Sequence, residues 1–218
     1  MTTRQKFEEE LEELQEAVFR LGILMEGQLE NALRSLLKQD ADMASAVLQK
    51  DDELDQLTED IENKCIHLVA TQQPLATDLR MIFAANHMAI DLERMGDYSC
   101  KIAKVALVLQ GEVYMKKLVD IPRMGEIALM MIDKTLNLYM KKDVTNLSDI
   151  AAADDELDAL HHQILRELFT YIAEDQRNIK QAIHFMFISQ HIERIGDHAT
   201  NIMEWLHYYV TGERVTFN

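Results

Sequence analysis

Apolar positions near the start of the chain recur at alternating steps of three and four: Phe7, Leu11, Leu14, Val18, Leu21, Met25, Leu29, Ala32 and Leu36. That spacing predicts a helix some thirty residues long, ~45 Å at ~1.5 Å per residue, with one face covered by partner helices along its length. Asp40 is a suitable N-cap for a second helix reaching about Thr71, and Gln72-Gln73-Pro74 interrupts the pattern. A third helix is expected from near Leu75 to about Gln110, ended by Gly111. Pro122 falls in the first turn of a fourth helix, where its missing N–H costs nothing, and that helix reaches about Lys141. Asp143 opens a fifth helix ending near Glu174, and Asp175 caps a sixth that runs to about Thr211, before Gly212. No run of alternating β-branched residues suggests a strand. The prediction is all-α, with six long helices.

The pattern repeats. Asp51-Asp52-Glu53-Leu54-Asp55 returns as Asp154-Asp155-Glu156-Leu157-Asp158, and the cap Asp40 returns as Asp143, both displaced by 103 residues. Glu93-Arg94-Met95-Gly96-Asp97 returns as Glu193-Arg194-Ile195-Gly196-Asp197, displaced by 100. The difference falls in the loop around Pro74, where shortening is tolerated. Self-similarity on this scale marks a duplicated three-helix unit, residues 1–112 and 113–218, and hence two tandem three-helix bundles.

Charge narrows the function. With 38 acidic against 22 basic residues the net charge is −16, which repels phosphate backbones and anionic lipid. Nucleic-acid binding is not expected, and cations or basic protein surfaces are favoured as partners. The longest apolar run, Ile127 to Ile132, is far short of the ~20 residues a spanning helix needs, so no membrane insertion is expected. Met1 to Gln15 is acidic and amphipathic and does not read as a secretory signal, which points to a cytoplasmic protein. Cys65 and Cys100 form neither a disulfide framework nor a zinc knuckle and are expected to be buried as small hydrophobes.

Candidate chemistry lies in the repeated acids. Glu93 with Asp97, and Glu193 with Asp197, are spaced to share a helical face, where like charges repel by a few tenths of a kcal/mol. A solvated acidic face is the ordinary explanation. Here, however, the preceding helix of each repeat carries its own pair, Asp51 with Asp55 and Asp154 with Asp158, and the short break should make the two helices antiparallel. The flanks of Glu193 and Asp197 are apolar: Phe185, Phe187, Ile188, Ile192, Ile195 and Ile202. Several carboxylates in a partly dry setting either rise in pKa or take up a cation. Oxygen ligands suit magnesium, manganese, calcium or ferric iron. His162, at the position of Glu59, could add a nitrogen ligand and favour iron or zinc, and Asn201 could add a neutral oxygen. The counterpart of Asn201 is Lys101, which should compete with a metal at Asp97 and make the second repeat the better site. Gly96 and Gly196 cost ~1 kcal/mol each in mid-helix, suggesting a close helix approach or room for a cluster. Arg94, Arg194, Arg80 and Lys180 are expected to brace carboxylates on neighbouring helices.

Pro74-Leu75-Ala76-Thr77-Asp78-Leu79-Arg80, leading to Asp91-Leu92-Glu93-Arg94-Met95-Gly96-Asp97, resembles the signature of PhoU proteins. The segment from His191 to Ile202 resembles it more closely still, and the Asp-Asp-Glu-Leu-Asp stretches match the family's acidic segment. The resemblance covers nearly the whole chain. It implies tandem three-helix bundles, multinuclear metal binding at the acidic pairs, and regulation of phosphate uptake. In that role PhoU-like proteins restrain the high-affinity phosphate transporter, through its ATPase subunit, and the phosphate-sensing histidine kinase. The metal is left among iron, zinc, manganese and magnesium. No nucleophile–base pair or phosphate-cradling glycine loop occurs, so a non-enzymatic adaptor is expected, and the long Met-rich helical faces suggest a homodimer. Two alternatives stand beside it. A metal-free helical scaffold is one. The other is a ferritin-like dimetal oxidase, which calls for paired Glu-x-x-His motifs where only Glu204-Trp205-Leu206-His207 has the spacing.

Overall fold

A computed structural model describes residues 3–217. Among them are seven helices: α1 (Thr3–Lys38), α2 (Ala41–Gln49), α3 (Asp51–Gln72), α4 (Ala76–Val108), α5 (Asp120–Lys141), α6 (Leu147–Glu174) and α7 (Ile179–Thr211). A single 3-10 turn, Gln176–Asn178, precedes α7, and the described residues contain no strand. The first repeat is α1 to α4 and the second is α5 to α7. Every member of the seam read along α1, from Phe7 to Leu36, is at most 6% exposed.

The second predicted helix is two. Asp40 caps α2 as expected, its side chain accepting from the Met43 N–H at 2.9 Å, but the chain breaks at Lys50 and restarts as α3. Asp51, Asp52 and Glu53 fill the first turn of α3, where carboxylates are favoured by the unpaired N–H groups of a helix start. The counterpart of Lys50 is Ala153, the best helix former, and there α6 runs through unbroken. Two other starts also shift. Asp143 accepts from the Thr145 N–H in a turn, and α6 begins only at Leu147. Asp175 caps the 3-10 turn through the Arg177 N–H, and α7 begins at Ile179. The duplication reaches the backbone: Gln39 and Lys142, 103 apart, both take φ +53 in the turns that leave the first helix of each repeat.

The repeats pack on each other about a pseudo-two-fold axis, α4 against α7 and α1 against α5. Reciprocal contacts reveal it. A Cβ on Gly22 would collide with Leu136, and one on Gly125 would collide with Leu33; each glycine and each leucine is displaced from its counterpart by 103. Between α4 and α7, Asp91 faces His198 while His191 faces Tyr98, again as counterparts displaced by 100. One continuous apolar core spans both repeats.

Helical glycines with and without neighbours make a test. At Gly27 an added Cβ meets nothing within 4 Å, so Gly27→Ala should stabilise by up to ~1 kcal/mol through helix propensity. Gly22→Ala must displace the buried Leu136 and should instead destabilise by ~1–2 kcal/mol. Thermal unfolding of both variants checks the opposite signs.

Candidate metal centres

Two close helix pairs set the acids facing each other. In the first repeat, a Cβ on Gly96 would lie 3.0 Å from Leu54 Cδ1 and from Gln28 Oε1. In the second, one on Gly196 would lie 2.9 Å from Leu157 Cδ1 and 3.0 Å from Asp154 Oδ1. The glycines therefore admit α3 against α4 and α6 against α7, and Gly196 also makes room for a carboxylate.

Each set of four acids shares one electrostatic field. Burial raises the Glu93 carboxyl, and Asp97, Asp55 and Asp51 raise it further, with Arg94 opposing. Asp55 is raised by burial and by Asp51 and Asp97. In the second repeat Asp154 is pushed up to about 6 by burial and then by Asp197 and Asp158, and the buried Thr200 Oγ1 has no hydrogen-bond partner. Glu193 is raised by burial and by Asp197, Asp158 and Asp154, with Arg194 opposing. Asp197 is also raised by burial, with Arg194 opposing and Asp158 adding to it. Glu193 Oε2 is buried with no hydrogen-bond partner; Arg194 Nε stands 3.6 Å away. Among the described residues, no three acid, histidine or thiol side chains are already gathered tightly enough to hold an ion. The pairs face one another without closing round a common point.

This donor set fits a hard cation. Asp55, Glu93, Asp154, Glu193 and Asp197 are raised by burial and then by neighbouring acids, and Glu193 carries an orphaned buried oxygen; a positive ion would relieve both conditions.

The other sequence candidates are placed as follows. His162 is exposed a turn beyond Asp158, its Nδ1 2.8 Å from the Asp158 carbonyl oxygen. The Asn201 amide reaches towards Asp91 at 3.5 Å, across the repeat boundary. Lys101 lies 3.8 Å from Asp97 and 4.4 Å from the centre of the Tyr98 ring, an exposed pairing of little strength. Arg194 does not brace a neighbouring helix: it folds back onto Asp197 at 3.1 Å on its own helix, because a flexible side chain takes the nearer carboxylate. Arg94 makes no salt bridge among the described residues, and Lys180 pairs with Glu112 at 3.2 Å. Cys65 and Cys100 are free and buried, with both thiols pushed up to about 12 chiefly by burial. Glu204 and His207 are engaged with the C-terminal segment, Glu204 Oε1 accepting from the Phe217 N–H and His207 Nδ1 lying 3.1 Å from the Glu213 carbonyl oxygen.

Three features escaped the sequence reading. Gln28, 6% exposed, donates to Asp51 Oδ1 at 3.1 Å and to Cys100 Sγ at 3.2 Å. Its counterpart is Met131, and that polar-for-apolar change between repeats was the available signal. Asp91, 6% exposed, meets His198 Nδ1 at 2.8 Å. Glu26 on α1 is raised to about 7 by burial and by Asp133 of α5, and its Oε1 is buried without a partner.

The raised carboxyls fix the direction of a pH response. Asp154 and Glu26 lose their protons near their ordinary values of 3.8 and 4.5 when unfolded, but only near about 6 and about 7 when folded. The folded state therefore holds more protons in that window and loses stability as pH rises through it. The metal-free thermal midpoint should fall between pH about 4 and about 7. Asp154→Asn and Glu26→Gln should each reduce that fall and raise the midpoint at neutral pH. An unchanged profile in both variants would refute the electrostatic account.

Comparison with known proteins agrees with this architecture. The model of the PhoU domain family matches residues 18–106 and 121–206, one match in each repeat. A phosphate-specific transport system accessory protein PhoU homolog from Clostridium acetobutylicum is 38% identical over 217 residues, covering 99% of each chain. The Escherichia coli protein named phosphate-specific transport system accessory protein PhoU is 32% identical over 208 residues, covering 95% of this chain and 86% of its own. The crystal structure of PhoU from Pseudomonas aeruginosa superposes with a TM-score of 0.91 at 33% identity, covering 95% of this chain and all of that one. The phosphate transport system regulatory protein PhoU from Streptococcus pneumoniae gives 0.89 at 31% identity, over 96% and 99% of the two chains. With a doubled match, an all-helical duplicated fold and relatives aligned almost end to end, this chain belongs to the PhoU family.

Proposed function

We propose that this chain is a cytoplasmic accessory regulator of phosphate transport that carries cations in two carboxylate centres. The observation that carries the metal reading is the facing of two acidic pairs in each repeat, where burial and then the neighbouring acids raise Glu93 and Glu193. Asp51, Asp55, Glu93 and Asp97 would hold an ion in the first repeat, and Asp154, Asp158, Glu193 and Asp197 in the second. Such an ion supplies charge neutralisation and ties adjacent helices together. The carboxylates favour manganese, magnesium or iron.

The regulatory reading rests on alignment with phosphate-transport accessory proteins over almost the entire chain. Its partners in this reading are the ATPase subunit of the phosphate transporter and the phosphate-sensing histidine kinase. Exposed apolar side chains support protein docking, since they recur at matching places in both repeats. Ile66 and Phe169 are 67% and 60% exposed, and Phe83 and Ile183 are 51% and 43% exposed. No helix among the described residues is long and apolar enough to cross a membrane. A homodimer is part of the proposal.

Equilibrium dialysis against manganese, iron and zinc tests the centres. Uptake should be specific and should fall in Glu193→Ala and Asp197→Ala, and saturating metal should raise stability by ~2.7 kcal/mol at a hundredfold excess over Kd. Absence of specific uptake would leave a metal-free scaffold. Pull-down with the ATPase subunit and the kinase, at high and low phosphate, tests the partners. Binding to neither would overturn the regulatory assignment.

A further inference from the structure

Next to the acids of the second repeat lies an open cleft of about 570 Å³, lined by Arg94, Arg194, Tyr98 and His198 together with Asp154 and Asp197. The two arginines are counterparts displaced by 100 residues, so the pseudo-two-fold axis delivers one guanidinium from each repeat to a single cleft. Neither is committed to a distant partner. Arg94 has no salt bridge among the described residues, and Arg194 pairs only with Glu193 at 3.6 Å and Asp197 at 3.1 Å. His198 is fixed by Asp91 through Nδ1 at 2.8 Å, which leaves Nε2 for the cleft its ring lines.

Guanidinium forks recognise tetrahedral oxyanions by paired, charge-assisted hydrogen bonds. Asp154 and Asp197 line the same cleft and repel the same anion, and Arg194 is neutralised by the carboxylates it holds. A cation on those carboxylates would reverse both conditions: it would cancel their negative charge and release Arg194 into the cleft. We propose that this cleft binds inorganic phosphate between Arg94 and Arg194, and does so only when a cation occupies the acids of the second repeat. The inference rests on the metal reading above and gives the centre a purpose, because a phosphate site conditional on a metal also strengthens metal binding when phosphate is present.

Equilibrium dialysis of radiolabelled phosphate against the full chain, with and without saturating manganese(II), tests it. Manganese uptake is measured separately from the loss of the free-ion electron paramagnetic resonance signal. Phosphate should bind in manganese and not in its absence. Arg94→Gln should weaken phosphate by about tenfold while manganese uptake in phosphate-free buffer is retained. Arg94 is exposed and outside the acidic pairs, so the variant should fold, and its thermal midpoint verifies this. Manganese uptake with no phosphate bound, or with phosphate bound equally by both proteins, overturns this inference alone. No manganese uptake overturns the metal reading and the conditional site with it. Arg94-dependent binding of ATP where free phosphate is silent overturns the assignment to the free ion.

Discussion

The close approach of α3 to α4, and of α6 to α7, is the constraint on which the rest depends. Leu54 and Leu157 are completely buried at these contacts, and only glycine at positions 96 and 196 lets the facing helix come so near. Burying a leucine contributes roughly 1.5–3 kcal/mol, whereas like charges one helical turn apart oppose by a few tenths. Apolar packing wins, and it forces the acids to face each other. The raised carboxyls of Glu93, Asp154 and Glu193 record that outcome. Electrostatic tension is thus built in by the core, and a cation would relieve it without disturbing the packing that created it.

Symmetry then sets what surrounds the acids. Because Gly22 receives Leu136 and Gly125 receives Leu33, the first helices of the two repeats cross at a fixed point. The α4–α7 face follows from the same axis, with Asp91 on His198 and His191 near Tyr98. These pairs are related by position but not by chemistry. Asp91 is hydrogen-bonded to His198 at 2.8 Å, while His191 is pushed down to about 4 by burial and the Lys101 charge and meets Tyr98 only as a ring, 5.5 Å between centroids. Duplication gave the repeats one backbone plan, and substitution made the faces around the axis unequal.

Much of this was legible in the chain because it is periodic or repeated. The seam of α1, the doubled acidic segments and the glycines beside them all follow rules that act within one helix or one repeat. What was missed depends on contacts between distant positions or on small local balances. The break at Lys50 is one such balance: lysine is a good helix former, and the same three acids that open α3 follow Ala153 inside the unbroken α6, so no local signal marks the break. Asp91 and His198 are 107 residues apart, and no motif in either repeat marks them as partners. Gln28 differs from its neighbours only by being polar beside an apolar seam. Arg194 was misread because a flexible side chain, unlike a backbone, is not fixed by the helical wheel.

The two centres should therefore not be treated as copies. Asp51 sits in the first turn of α3, where helix N–H groups favour a carboxylate, and accepts a hydrogen bond from the buried Gln28. Asp154 sits inside the continuous α6, without a helix start and with Met131 where Gln28 would be. Part of the negative charge in the first centre is thus answered by the protein itself. In the second, Arg194 and His198 oppose the rise of Asp197, and Arg194 lies beside an open cleft. By this accounting the first centre is the more self-sufficient without metal. The second would have more to gain from a cation, and under the proposal above gaining one there would also free Arg194 for the neighbouring cleft.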